Sequence, residues 1–160
     1  MSTWFRSWIW WLTIVPDGWD EPNRIHYVKP PGAALVARMD MDAFAMVVRN
    51  LIDNAANHGA PGGRIEVQVE QGGVIHIINE GPVVPAEALA GLKRRFIRGQ
   101  TPSAGVGLGL AIAETIMAQT GGRLDLFSPA PGHDGGLEAR LITKTAMAAD
   151  LAAADKTAPR

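Results

Sequence analysis

Phe44-Ala45-Met46-Val47-Val48-Arg49-Asn50-Leu51-Ile52-Asp53-Asn54-Ala55 carries two patterns on one segment. Phe44, Val47, Val48, Leu51, Ile52 and Ala55 recur at i, i+3, i+4, i+7, i+8 and i+11, which gathers apolar side chains on one face of an α-helix. Asn50, Asn54 and Asn57 recur at i, i+4 and i+7, which lays three carboxamides along one edge of that face. Asparagine is a poor helix former because its side chain competes with the backbone for hydrogen bonds. The stripe is therefore either a solvated edge or a set of neutral oxygens for a hard cation such as Mg2+, which keeps several waters and takes phosphate oxygens as further ligands. Asp40 or Asp42 is the candidate N-cap, and His58-Gly59 with Pro61-Gly62-Gly63 behind it ends the helix.

Outward from this helix the chain alternates strand and helix signals. Pro16-Asp17-Gly18 and Pro30-Pro31-Gly32 are breakers, framing short strands expected at 24–28 and 34–38. Downstream, Ile65, Val67 and Val69 alternate with polar residues over 64–70, and a Gly72-Gly73 turn leads into a second strand at 74–79, so the two form a hairpin. A short helix is expected at 85–92, a polar basic loop at 93–104, and a second strong helix at 107–119 closed by Gly121-Gly122. A final strand pair follows at 123–128 and 136–143. This order implies an α+β two-layer sandwich, with a mixed, mostly antiparallel sheet covered by about three helices on one face. The expected organisation is a Trp-rich segment at 1–22, one domain at 23–145 and an Ala-rich tail at 146–160.

Composition narrows the function. With 47% hydrophobic and 19% charged residues, a chain of 160 residues can bury one real core. A net charge of −1 gives no electrostatic footprint for nucleic acid or an anionic membrane. The absence of cysteine excludes a disulfide framework, a thiolate zinc site and a cysteine nucleophile, and fits a cytoplasmic protein. No apolar run approaches the roughly 20 residues of a membrane span. Trp4, Trp8, Trp10, Trp11 and Trp19 are all the tryptophans of the chain. Their segment is read as packing on its own domain or on a second copy, which would make a homodimer; a membrane-interface belt is the sharper alternative.

Three further stretches carry chemistry. In Gly105-Val106-Gly107-Leu108-Gly109-Leu110-Ala111-Ile112-Ala113, glycines at alternate positions lead straight into a helical pattern. Missing side chains let backbone N–H groups approach an anion, and a helix start adds unpaired donors and a positive dipole end. Ile77-Ile78-Asn79-Glu80-Gly81-Pro82 is a strand ending in a side-chain amide that can either form a turn or read the edge of a base. Lys93, Arg94, Arg95 and Arg98 surround Phe96, a solvated basic run or a clamp on a polyphosphate.

In this order and spacing the segments resemble the N, G1, F and G2 boxes of the catalytic ATP-binding domain of bacterial sensor histidine kinases. That domain belongs to the wider group including gyrase, Hsp90 and MutL, whose nucleotide site is of the Bergerat type. Asn50-Leu51-Ile52-Asp53-Asn54-Ala55 is similar to the N box, Asn79-Glu80-Gly81-Pro82 to G1, Arg95-Phe96-Ile97-Arg98-Gly99 to the F box, and Gly105 to Leu110 to G2. The resemblance implies ATP and Mg2+ as cofactors, with Asn54 holding the metal and Asn50 and Asn54 as the catalytic pair. It also implies nucleotide contacts from Asn57, His58, Asn79, Gly81, Arg95, Phe96 and Arg98. Gly105, Val106, Gly107, Leu108, Gly109 and Leu110 would form the phosphate cradle, with 100–104 as a short mobile lid.

The departures from that pattern are as informative. Asn50 stands where ATP-hydrolysing relatives carry a glutamate base, which implies phosphoryl transfer to a protein over hydrolysis. Asn79 replaces the aspartate that accepts the adenine amino group, and its NH2 could face a guanine carbonyl instead. Val83 replaces the second G1 glycine, Asn57 a basic residue, and Lys93 an aromatic one. None of His26, His58, His76 and His133 has the context of a phosphoaccepting histidine. The expectation is thus a fragment or split component of a sensor kinase. It would donate the γ-phosphoryl of ATP to a histidine on a separate dimerisation domain, in cis or in trans, that in turn serves a response regulator. An interaction module that binds nucleotide without kinase activity, or a serine kinase of the anti-sigma-factor type, is the alternative.

Overall fold

The computed structural model describes residues 4–6, 24–28, 36–70, 73–98 and 108–144. Most of the Trp-rich segment, the stretch 99–107 with Gly105, Val106 and Gly107, and the Ala-rich tail lie outside the described residues. In chain order the elements are β1 (Trp4–Arg6), β2 (Ile25–Val28), β3 (Val36–Arg38), α1 (Met41–His58), β4 (Ile65–Glu70), β5 (Val74–Asn79), α2 (Ala86–Arg98), α3 (Leu108–Gln119), β6 (Arg123–Phe127) and β7 (Leu137–Ile142).

Helix α1 forms where its apolar period predicts. Of the two candidate aspartates the N-cap is Asp40, whose Oδ1 accepts from Asp42 N at 2.9 Å and Ala43 N at 3.2 Å. Such a cap is worth about 1 kcal/mol. Asp42 instead occupies the first turn, where its charge suits the dipole. The buried residues of α1 are Phe44, Val47, Val48, Leu51, Ile52 and Ala55, which are the periodic set.

The main sheet has strand order β2-β4-β5-β7-β6. Only β2 and β4 run parallel; the other neighbours are antiparallel. Period-2 alternation sends Ile65, Val67, Val69, Ile75, Ile77, Leu124, Leu126, Ala139 and Leu141 into one core with the α1 stripe and with Leu110, Ala113 and Met117 of α3. Each large aliphatic side chain so buried contributes about 1.5–3 kcal/mol relative to exposure, so this core dominates the stability of the fold. The opposite face is polar. There Glu138, only 2% exposed, accepts from Arg140 Nε at 2.7 Å and lies 2.8 Å from His76 Nδ1. His76 Nε2 is 3.3 Å from Glu70 Oε1, a contact without hydrogen-bond geometry.

One expectation needs correction. The basic loop at 93–104 is helical through its first half, because α2 runs on to Arg98. Leucine, lysine and arginine are good helix formers, no breaker intervenes before Gly99, and cations suit a helix C-terminus. The strand expected at 34–38 is described from Val36, and it pairs with β1 in a separate two-stranded sheet, Trp4 opposite Arg38. The second strong helix is described over Leu108–Gln119.

Candidate functional site

The site is read on the helical side of the sheet, where α1 packs on α3 and the end of α1 lies beside the end of β5. Asn50 and Asn54 sit half-buried along one edge of α1, while Asn57 and His58 at its end are exposed. The Asn50 amide nitrogen donates to Met46 O at 2.9 Å, satisfying itself on its own helix. Its other end faces α3. A methyl group added at Gly109 would sit 3.2 Å from both the carbonyl and the side-chain oxygen of Asn50, so glycine at 109 lets the two helices close to this spacing. One turn further along α1, the Asn54 amide has no hydrogen-bond partner among the described residues, which leaves its oxygen available to a ligand. Leu110 is 2% exposed and packed in the core, so its share in a phosphate cradle is confined to its backbone N–H. Arg95, Phe96 and Arg98 lie on the last turns of α2.

The other end of the site is the turn after β5. Asn79 pairs with Ile65 across the sheet, points to the core side and is 6% exposed. Its Nδ2 donates to Glu80 O at 3.2 Å. That carbonyl also accepts from Ala60 N at 2.7 Å, just past the end of α1. Glu80 N donates to Arg64 O at 3.1 Å, Arg64 N donates to Glu80 Oε2 at 3.0 Å, and Gly136 N donates to Gly81 O at 2.7 Å. The turn bearing Asn79 and Gly81 is thus tied to the α1–β4 connection and to the start of β7. These braces escape sequence reading because most are backbone to backbone. The residue type that answers to them is Gly136: a Cβ there would collide with Asn79 O, and its φ is +78°.

A polar cleft of about 270 Å³ lies across the same turn, lined among others by Arg64, Glu66, Ile78, Glu80, His133 and Asp134. Its lining includes no residue of α1 or α3, but it does include Asn79 and Gly81, so it shares that turn with the candidate site. No group of three or more His, Asp or Glu residues suited to a metal occurs among the described residues. A cation here would therefore draw most of its ligands from phosphates and water, which fits Mg2+ held by one carboxamide. Amides and backbone donors without an acidic cage suit a phosphorylated nucleotide.

The comparisons with known proteins point to the same class. The family model for histidine kinase-, DNA gyrase B- and HSP90-like ATPases matches residues 39–146. The signal transduction histidine-protein kinase/phosphatase MprB of Mycolicibacterium smegmatis is 35% identical over 99 residues, covering 58% of this chain and 20% of that protein. The sensor protein CseC of Streptomyces avermitilis is 46% identical over 87 residues, covering 53% of this chain and 17% of that protein. The solved structure of a mycobacterial sensor histidine kinase MprB shares the fold with a TM-score of 0.65 at 21% identity, over 92% of this chain and 100% of that one. The histidine kinase domain of the E. coli osmosensor EnvZ gives 0.62 at 23% identity over 92% of each chain.

The fold is that of the histidine kinase ATP-binding domains. The chain belongs to the histidine kinase-, DNA gyrase B- and HSP90-like ATPase family, as an ATP-binding domain of the sensor-kinase type. It spans about a fifth of the length of these curated relatives. No helix among the described residues is long and apolar enough to cross a membrane.

Proposed function

We propose that this domain binds ATP with Mg2+ in the cytoplasm and donates the γ-phosphoryl to a histidine on a helical dimerisation domain, which then serves a response regulator. The observation that carries this reading is the meeting of Asn50 on α1 with Gly109 on α3. The unpartnered Asn54 amide lies one helical turn from Asn50 on α1, and Gly109 belongs to the helix that follows the glycine run. Asn54 supplies the carboxamide oxygen that would hold the metal, and the metal when bound neutralises phosphate charge. Gly105, Val106, Gly107, Leu108 and Gly109 supply backbone donors to the phosphates, joined by Leu110 through its N–H, and the helix dipole adds to them. Asn57, His58, Arg95, Phe96 and Arg98 border the polyphosphate, while Asn79 and Gly81 hold the base. Asn50 has no carboxylate to activate water, and its amide is already bonded to Met46 O. Transfer to an imidazole nitrogen, with ADP leaving, is therefore favoured over hydrolysis.

Calorimetric titration with ATP, ADP and GTP, with and without Mg2+, tests the binding half. No binding at millimolar ATP would sink the reading. Label from γ-labelled ATP should then pass to a supplied dimerisation domain as an acid-labile phosphohistidine; acid-stable label on serine would point instead to a serine kinase.

A further inference from the structure

The segment that leaves β5 has few backbone anchors. In Gly81-Pro82-Val83-Val84-Pro85 the two prolines have no N–H, so only Gly81, Val83 and Val84 can donate. The segment is nevertheless held at both ends, each time by the connection between β6 and β7. At its start Gly81 O accepts from Gly136 N at 2.7 Å. At its end Val84 N donates to the Ser128 hydroxyl at 2.8 Å, and that hydroxyl donates onward to Gly136 O at 2.6 Å. Gly81, Val84, Ser128 and Gly136 thus close a ring of hydrogen bonds.

Ser128 contributes the one side chain in that ring; every other group in it is backbone. A hydroxyl suits the place because it accepts and donates at once. The turn that carries it is itself fixed, with Ala130 N donating to Gly135 O at 3.1 Å and His133 N to Ala130 O at 2.9 Å. Just beyond Val84, Pro85 O accepts from Leu89 N at 2.9 Å in the first turn of α2. The anchored residue therefore stands between the turn of Asn79 and Gly81 and the helix that ends in Arg95 and Arg98.

We propose that Ser128 is a positioning residue for nucleotide binding. Its hydroxyl fixes Val84 and so holds the segment from Gly81 to Val84, and the entry to α2, in the arrangement that receives the nucleotide. The proposal rests on the nucleotide-site reading above, in which Gly81 holds the base and the end of α2 borders the polyphosphate. It adds a residue that lies outside all four sequence boxes and acts only through the backbone it holds.

The test pairs ATP titration in Mg2+ with amide hydrogen exchange at Val84, for wild type, Ser128→Ala and Ser128→Thr. All are compared at a temperature where circular dichroism shows them folded. The Val84 N–H should be protected in wild type. Ser128→Ala should lose that protection and bind ATP at least about fivefold more weakly, in line with a partly buried hydrogen bond left unmade. Ser128→Thr keeps the hydroxyl and should restore both. A merely structural serine would lower the urea midpoint and leave the ATP affinity of the folded domain unchanged, which overturns the proposal alone. Weakened binding with Val84 still protected overturns it too, as does a threonine variant as weak as the alanine one. If Ser128→Ala does not fold, Ser128→Cys replaces it under the same criteria, keeping the shape with a poorer donor and acceptor. A wild-type chain that binds no nucleotide overturns the nucleotide-site reading together with the proposal.

Discussion

The two ends of the site, proposed above to hold the base and the metal, are built by different means. At the base end Asn79, Glu80 and Gly81 are tied by hydrogen bonds to Ala60, Arg64 and Gly136, most of them between backbone groups. At the metal end the organising contact is two helices closing on each other, with Asn50 bonded to its own helix and pressed against Gly109. The first construction tolerates many side chains but few changes of backbone. The second depends on a small number of side chains and on a close approach that one methyl group disturbs.

Four substitutions break or sharpen this contrast. Gly136→Ala should have the largest effect, combining a left-handed backbone with a collision against Asn79 O. Together these cost about 3 kcal/mol of unfolding free energy, read as a lowered urea midpoint. A loss below about 1 kcal/mol would mean that the base turn is not rigid. Asn54→Ala should leave the urea midpoint nearly unchanged, because the amide has no partner among the described residues. It should abolish the Mg2+ dependence of triphosphate affinity, a weakening of roughly tenfold or about 1.4 kcal/mol. Unchanged Mg2+ dependence would place the metal elsewhere.

Gly109→Ala pits a helix-propensity gain of about 0.8–1 kcal/mol against crowding of the α1–α3 seam by about 1–3 kcal/mol. A net loss near 1 kcal/mol, partly relieved by Asn50→Ala in a double-mutant cycle, would locate the strain in the Asn50 contact. Additive losses would exclude it.

Glu114 on α3 gives the smallest effect. Burial, with the Asp125 charge adding to it, raises its pKa above the ordinary 4.5, and Oε2 has no hydrogen-bond partner among the described residues. As pH rises past 4.5 the unfolded carboxyl ionises before the folded one. The stability linked to this group is therefore full below that pH and is lost as pH climbs through the folded value. Glu114→Gln should flatten that part of the pH–stability profile; an unaltered profile would mean that the carboxylate is hydrated in solution.

How far the sequence revealed all this depends on the kind of interaction. The α1 stripe and the alternation of Ile65, Val67 and Val69 were legible because burial imposes a period. The end of α2 was not, because Lys93, Arg94, Arg95 and Arg98 read as loop when polarity is weighed above helix propensity. Pairing of β1 with β3 joins Trp4 to Arg38, a distance along the chain that no local pattern encodes. Asn54 and Asn79 were visible as candidate ligands through their side chains. What braces the turn after Asn79 was hidden, because the carbonyl of Glu80 and the N–H of Ala60 leave no mark in residue type.

The parallel pairing of β2 with β4 sets the boundary of the cooperative unit. Ile25 lies opposite Ile65, and Arg24 reaches Gly63 O at 3.0 Å, so the strand before the asparagine helix closes the edge of the sheet behind it. The family match begins only at residue 39. A recombinant version trimmed to that window would keep the described nucleotide-facing residues yet leave β4 as a bare edge, inviting strand exchange between molecules. The span that performs chemistry is thus shorter than the span that must be synthesised to hold it.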